Sequence, residues 1–213
     1  MKNYKIPLPC LSALFFLIGM GCSSTSVMLS KEDRARLNSR TEIGAVYHEP
    51  AAFYADAGFS GLIGYGKSLS AGKEIRAKYR FDDPAPAVKT KFLQALEKEY
   101  TGMKVLPVDR PVAVDDLAAV KKAYAGPWVL DFKTLGWGSA IEGDVEFTVR
   151  ARLIRNDDAK ILWQGTCKYE TKSGPRKLLT GDSPALLKGK FQAGVAPCAQ
   201  QLWNQFQAAP PSR

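Results

Sequence analysis

The chain has 213 residues, 46% of them hydrophobic and 24% charged, the proportions of a globular chain with room for one domain and a real apolar core rather than of a disordered one. A formal net charge of +9 comes with a single histidine, His48, which excludes multi-histidine metal centres. Four cysteines are too few for a miniprotein built on disulfides, and the only long apolar run is N-terminal, which excludes a multi-pass membrane protein.

The first element, residues 1–21, reads as an export signal. Lys2 and Lys5 make a positive start, and Leu11 to Ile18 make an apolar run of secretory rather than membrane-spanning length. The run stops at Gly19-Met20-Gly21-Cys22-Ser23-Ser24. This segment resembles the lipobox of bacterial lipoproteins, where small residues admit the peptidase and a cysteine thiol takes diacylglycerol as a thioether. The resemblance implies lipidation of Cys22 and anchoring in a lipid bilayer through acyl chains such as palmitate. With Ser23 after the cysteine and no aspartate, it also implies the outer membrane, facing the periplasm. The alternative is an ordinary cleaved signal with an incidental cysteine. Without Lys2 and Lys5, 28 basic residues face 21 acidic ones, a net +7. That charge suits an anionic envelope, and it suits plain solubility equally.

Residues 22–40 read as a tether, polar apart from Leu29 and Leu37, or as a short helix holding the domain off the membrane. Residues 41–208 read as a single periplasmic domain and 209–213 as a disordered tail. Thr41 to His48 is a strand closed by Glu49-Pro50. The glycines at 58, 61, 64, 66 and 72 predict a long loop over 51–80, with a strand at Ile75 to Phe81. Asp82-Asp83-Pro84 starts a helix, a capping carboxylate followed by proline in the first turn, and Val88, Phe92, Ala95 and Leu96 keep helical spacing to Tyr100. Met103 to Val108 is a short strand, and Asp115-Asp116 caps a helix from Leu117 to Tyr124.

Trp128 to Leu135 alternates as a strand. From Gly143 the pattern is clearer still: Val145, Phe147, Val149, Ala151 and Leu153 point one way, and Glu146, Thr148, Arg150 and Arg152 the other. Asn156-Asp157-Asp158 turns the chain into a returning strand with Ile161, Trp163, Cys167 and Tyr169 on its buried side. Asp182-Ser183-Pro184 opens a last helix carrying Phe191, Val195, Cys198, Leu202 and Phe206, which Gly194 and Pro197 should kink or split. This order predicts an α+β fold with one mixed or antiparallel sheet and helices packed on it.

The arrangement resembles the small α/β domains of periplasmic envelope lipoproteins that assist cell-wall synthases, secretion channels and lipid transporters. Leu162-Trp-Gln-Gly-Thr-Cys167 is similar to a segment of uncharacterised proteobacterial lipoproteins. The resemblance implies a compartment and a fold and brings no active site with it.

Cys10 leaves with the signal and Cys22 takes lipid. Cys167 and Cys198 remain, on a strand's buried face and a helix's apolar face, and in an oxidising periplasm they should pair and link the C-terminal helix to the sheet. Two buried free thiols are the alternative.

Gly61-Leu-Ile-Gly-Tyr-Gly66-Lys67-Ser68 has the spacing of a P-loop, in which backbone amides wrap phosphates, lysine reaches their outer oxygens and the hydroxyl holds Mg²⁺. A poor strand precedes it and a poor helix follows, so a flexible glycine loop is preferred, with Leu62, Ile63 and Tyr65 as exposed partner contacts. Trp137, between Gly136 and Gly138, is either an exposed recognition aromatic or a strand-end core residue.

The pairs Asp82-Asp83, Asp115-Asp116 and Asp157-Asp158 stand where capping or turn formation explains them, and His48 beside Glu49 reads as a strand-end histidine rather than a general base. The basic residues are scattered, with no aromatic-lined groove for nucleic acid. The expectation is a lipid-anchored, non-catalytic binding component with no metal or cofactor, whose partner is an envelope protein, cell wall or lipid. The alternatives are a nucleotide-binding enzyme working through 61–68, or a purely structural lipoprotein.

Overall fold

The alternation from Val145 to Leu153 holds, and it divides the molecule. In the computed structural model, which describes residues 26–40, 42–55, 61–139, 144–171 and 184–208 (of 61–67 and 184 the backbone only), these five side chains are buried against helices. The intervening polar residues turn to the other side of the same sheet.

In chain order the elements are α1 (Lys31–Asn38), β1 (Glu42–Tyr47), β2 (Phe53–Ala55), α2 (Gly61–Tyr79), α3 (Pro84–Glu99), β3 (Lys104–Pro107), α4 (Leu117–Ala123), β4 (Trp128–Ser139), β5 (Val145–Arg155), β6 (Lys160–Glu170) and α5 (Pro184–Gln207). The sheet is mixed, in the order β3-β1-β4-β5-β6, and β2 pairs with the far end of β4. β1 runs parallel to β3 and β4, while β4, β5 and β6 form an antiparallel meander. This is the predicted α+β class with one sheet.

The helical side of the sheet holds the main core. Phe92 of α3 lies among Phe132, Trp163, Trp203 and Phe206 at ring distances of 5.5–5.8 Å. A second aromatic group gathers Phe53, Phe81, Trp137 and Phe191. The expected disulfide is present: Cys167 of β6 and Cys198 of α5 are joined with Cα atoms 5.3 Å apart.

Several expectations are corrected. Residues 61–79 are a helix rather than part of a loop, and the strand expected at 75–81 is absent. Ala71, Ile75 and Tyr79, one helical face, pack on the core. Gly72 is a contact glycine: a Cβ there would stand 2.0 Å from the Phe53 carbonyl oxygen, so α2 lies on β2 only because that side chain is missing. Phe53–Ala55 forms a short strand, β2, rather than loop alone.

Residues 26–40 are part of the domain rather than a spacer, since Leu29 and Leu37 are fully buried and Val27 bridges to Gln164 of β6. Ile161 turns to the opposite side from Trp163. A register shift next to Leu153 and Ile154 sends both Leu162 and Trp163 into the main core and leaves Ile161 against the second cluster. α5 continues without interruption through Gly194 and Pro197. Gly194 makes room for the Tyr169 ring, which a Cβ would meet at 2.3 Å.

The signal peptide, Cys22, Gly143, Asp182-Ser183 and the tail 209–213 lie outside the described residues.

Candidate functional site

On the sheet side away from the main core, Val46, Val129, Ile154, Val112 and Val120 form a small apolar cluster covered by α4 and the segment before it. Next to it, strand parity brings polar residues together. His48 follows β1, Asp131 and Lys133 alternate on β4, and Arg150 and Arg152 alternate on β5 opposite them. Asp115, just before the cap of α4, closes over the group from the loop side.

Asp131 is fully buried and His48 is 1% exposed. A carboxylate in such a place needs full compensation, and it has it. His48 Nε2 lies 2.8 Å from Asp131 Oδ2. Arg152 Nε donates to both carboxylate oxygens at 3.0 and 3.2 Å, and its Nη2 donates to Oδ2 as well. Arg152 Nη2 also donates to Asp115 Oδ1 at 2.9 Å. Arg150 holds Asp115 in a two-pronged pair at 2.7 and 3.1 Å, and Lys133 joins at 3.0 Å.

Burial pushes the Asp131 carboxyl up, but the hydrogen bonds from His48 and Arg152 prevail and hold it below the ordinary value. Asp115 follows the same balance: burial raises it, while Arg150 and Lys133 bring it well below the usual carboxylate range. Desolvation lowers the Arg152 guanidinium, and Asp131 more than restores it.

His48 hydrogen-bonded to a buried aspartate has the form of the orienting half of a catalytic triad. His48 Nδ1, the nitrogen that would take a proton, is buried with no partner among the described residues, and both oxygens of Asp131 accept from donors. His48, Asp115 and Asp131 also place ligand atoms within 4.8 Å of one another. The position between the two carboxylates is held by the Arg152 guanidinium, so a cation would have to displace a fixed positive charge. The arrangement is suited to fixing the loop before α4 onto three strands, β1, β4 and β5.

The residues singled out from the sequence are scattered. Trp137 is fully buried, not exposed: its Nε1 donates to the Ala51 carbonyl at 2.8 Å, Phe53 meets it edge-on at 4.9 Å, and Arg76 lies over its ring at 5.0 Å. It is core, and of its two flanking glycines Gly138 serves a neighbour, since a Cβ there would stand 2.3 Å from the Tyr54 carbonyl oxygen. Leu62, Ile63, Tyr65 and Lys67 lie within α2, where their side chains are outside the description, and Ser68 is buried. With the helix starting at Gly61, the P-loop pattern is wound into helical turns and does not form the phosphate-wrapping bend. Asp83 and Asp116 are helix caps as expected, accepting from Ala85 N at 3.1 Å and Ala119 N at 2.6 Å. Asp115 is more than a cap neighbour, and nothing in its local sequence marks it.

No protein-family model matches the chain, and no curated protein matches it. Among solved structures the chain is similar to a PelC variant dodecamer from Paraburkholderia phytofirmans, at 9% identity and a TM-score of 0.38, covering 87% of this chain and 96% of that one. It is similar to protein XCC0632 from Xanthomonas campestris, at 10% identity and a TM-score of 0.37, covering 77% and 82%. It is also similar to lipoprotein GNA1162 from Neisseria meningitidis, at 15% identity and a TM-score of 0.32, covering 76% and 98%. At such scores these likenesses carry no functional argument.

Proposed function

We propose that this protein is a lipid-anchored envelope protein, held to the outer membrane through Cys22 and facing the periplasm, where it acts as a non-catalytic binding component. The observation that carries the reading is the division of the cysteines. Cys10 and Cys22 fall in and directly after the signal-like segment, and Cys167 and Cys198 are joined in a disulfide, the state expected in an oxidising compartment. The buried, arginine-saturated His48–Asp131 pair supports a binding rather than a catalytic role. The edge of the sheet at β3 and the surface around α4 are the faces available to an envelope protein or cell-wall partner.

Labelled palmitate fed to cells making the protein tests the anchor. Label should enter the wild-type chain, be absent from Cys22→Ser, and travel with the outer-membrane fraction. An unlabelled product in the cytosol would overturn the proposal. Binding of ATP with Mg²⁺ in a calorimetric titration, abolished by Lys67→Ala, would replace the binding role with a nucleotide-dependent one. In-cell crosslinking followed by membrane pull-down would name the partner.

A further inference from the structure

Resting on the lipid attachment at Cys22, we propose that the domain sits directly on the bilayer in one orientation, with the outer edge of β6 and the end of α5 toward the lipid headgroups and the β3 edge turned away. The argument is one of reach. The chain is fixed to the domain from Val27 onward: Val27 N donates to the Gln164 carbonyl at 3.3 Å, Gln164 N donates to the Val27 carbonyl at 2.8 Å, Leu29 is fully buried, and Ser30 caps α1. Five residue steps separate Cys22 from Val27, which fully extended span at most about 18 Å. A domain of this size is about 40 Å across. The leash is therefore shorter than the body it holds, and the side bearing Val27 stays nearest the acylated residue.

The chemistry of that side fits a lipid surface better than an added strand. In the middle of β6, at Gln164 and Thr166, the edge groups that could pair with another chain are already taken. Besides the Val27 bridge at Gln164, the Gln205 side chain of α5 accepts from Thr166 N at 3.0 Å and donates to the Thr166 carbonyl at 2.9 Å. Beside them a hollow of about 360 Å³ lies between Val27, Trp163, Gln205 and Ala208, with Met28, 39% exposed, on its rim.

Around the end of α5 an adjoining cavity of about 490 Å³ holds Arg34 and Arg40, with Glu99 and Tyr100 on its wall. Arg34 donates to the Phe206 and Ala208 carbonyls at 2.9 and 3.3 Å, and Arg40 lies over the Trp128 ring at 5.5 Å, its Nε without a partner among the described residues. Among the described residues neither guanidinium is in an ion pair. The two guanidiniums outweigh the one carboxylate lining the cavity, Glu99, and a net positive charge at this end favours anionic headgroups. The opposite edge, β3, is four strand spacings from β6, about 19 Å away across the sheet.

The test uses the lipidated full chain in vesicles of phosphatidylethanolamine and phosphatidylglycerol doped with a nickel-chelating lipid. A nitroxide is attached at Met28→Cys or, separately, at Pro107→Cys at the far end of β3. The label at residue 28 should relax several-fold more strongly than the label at residue 107. A glycine–serine insert of about 20 residues after Ser24, with a root-mean-square span of about 25 Å, should shrink that difference while the protein still floats with the vesicles. Equal or reversed relaxation in protein that floats would overturn the orientation and spare the anchor, and a difference that the insert leaves unchanged would overturn the short reach of the chain as its cause. Failure to float would overturn the anchor itself.

Discussion

Replacing Arg152 with methionine isolates the charge balance on which the candidate site rests. The methionine fills much of the same volume and removes every donor that Arg152 gives Asp131. Asp131, fully buried, keeps His48 at 2.8 Å and only a distant Arg150, 4.0 Å away. Removing one partner of a buried pair typically costs about 3–5 kcal/mol, a large share of the roughly 5–15 kcal/mol that stabilises a domain.

Urea unfolding followed by tryptophan fluorescence suits the measurement, because Trp128, Trp137 and Trp163 are fully or almost fully buried. The midpoint should fall by roughly 2 M at neutral pH. The pH dependence carries a sign. In the wild type Asp131 is held below its ordinary 3.8, so its contribution is complete above that value and is lost as pH falls through the lower folded one. In Arg152→Met desolvation is no longer outweighed and the carboxyl moves up, so the penalty is largest at neutral pH and fades toward acid. Asp131→Asn in the same background keeps an acceptor for His48 and removes the stranded charge. It should recover about 2 kcal/mol, the coupling of a contacting pair. If Arg152→Met lies within about 1 kcal/mol of wild type, or if the double variant is no better than the single, the compensation described here is wrong.

Three further outcomes follow from other parts of the fold. Cys167→Ala with Cys198→Ala opens a link between residues 31 apart, which chain entropy values at about 4 kcal/mol, so the melting temperature should drop by about 10 °C; an unchanged melting curve would show that the link adds nothing. Gly72→Ala places a methyl 2.0 Å from a backbone oxygen and should cost about 2 kcal/mol or more, whereas Gly189→Ala in α5, where a Cβ meets nothing within 4 Å, should stabilise by about 0.5–1 kcal/mol. Burial, then the Glu42 carboxylate 3.0 Å away, pushes the Tyr124 hydroxyl up to about 12. Its contribution is present below the ordinary 10.0 and lost as pH rises through the higher value, and an ultraviolet titration should show the late ionisation disappear in Tyr124→Phe.

Periodicity made the sheet legible, and glycine made the region before it illegible. The alternation of β4 and β5, the hairpin at Asn156, and the caps at Asp83 and Asp116 are local signals with local causes, and each lies where the sequence puts it. Gly72 and Gly194 were open to two physical readings: glycine frees the backbone, and glycine also removes a side chain from a tight contact. A single sequence does not distinguish them. The deciding partners, the Phe53 carbonyl and the Tyr169 ring, belong to other elements. Trp137 poses the same ambiguity, since flanking glycines suit an exposed aromatic and a crowded strand end alike.

The charged site was half visible. Asp131 interrupts the apolar run Trp128-Val-Leu-Asp-Phe, and a carboxylate in a strand buried on both sides demands a cation. Arg150 and Arg152 have the parity to supply one. The outward-facing side of β5, however, reads as solvent-exposed unless something covers it, and the cover comes from Asp115, sixteen residues before Asp131 and outside any strand. That arrangement ties His48–Asp131 into a charged cluster with Arg152, Asp115 and Arg150 rather than leaving it an isolated pair. An aspartate that orients a general base must leave the base one reachable nitrogen; here Arg152 saturates the carboxylate and His48 Nδ1 is buried.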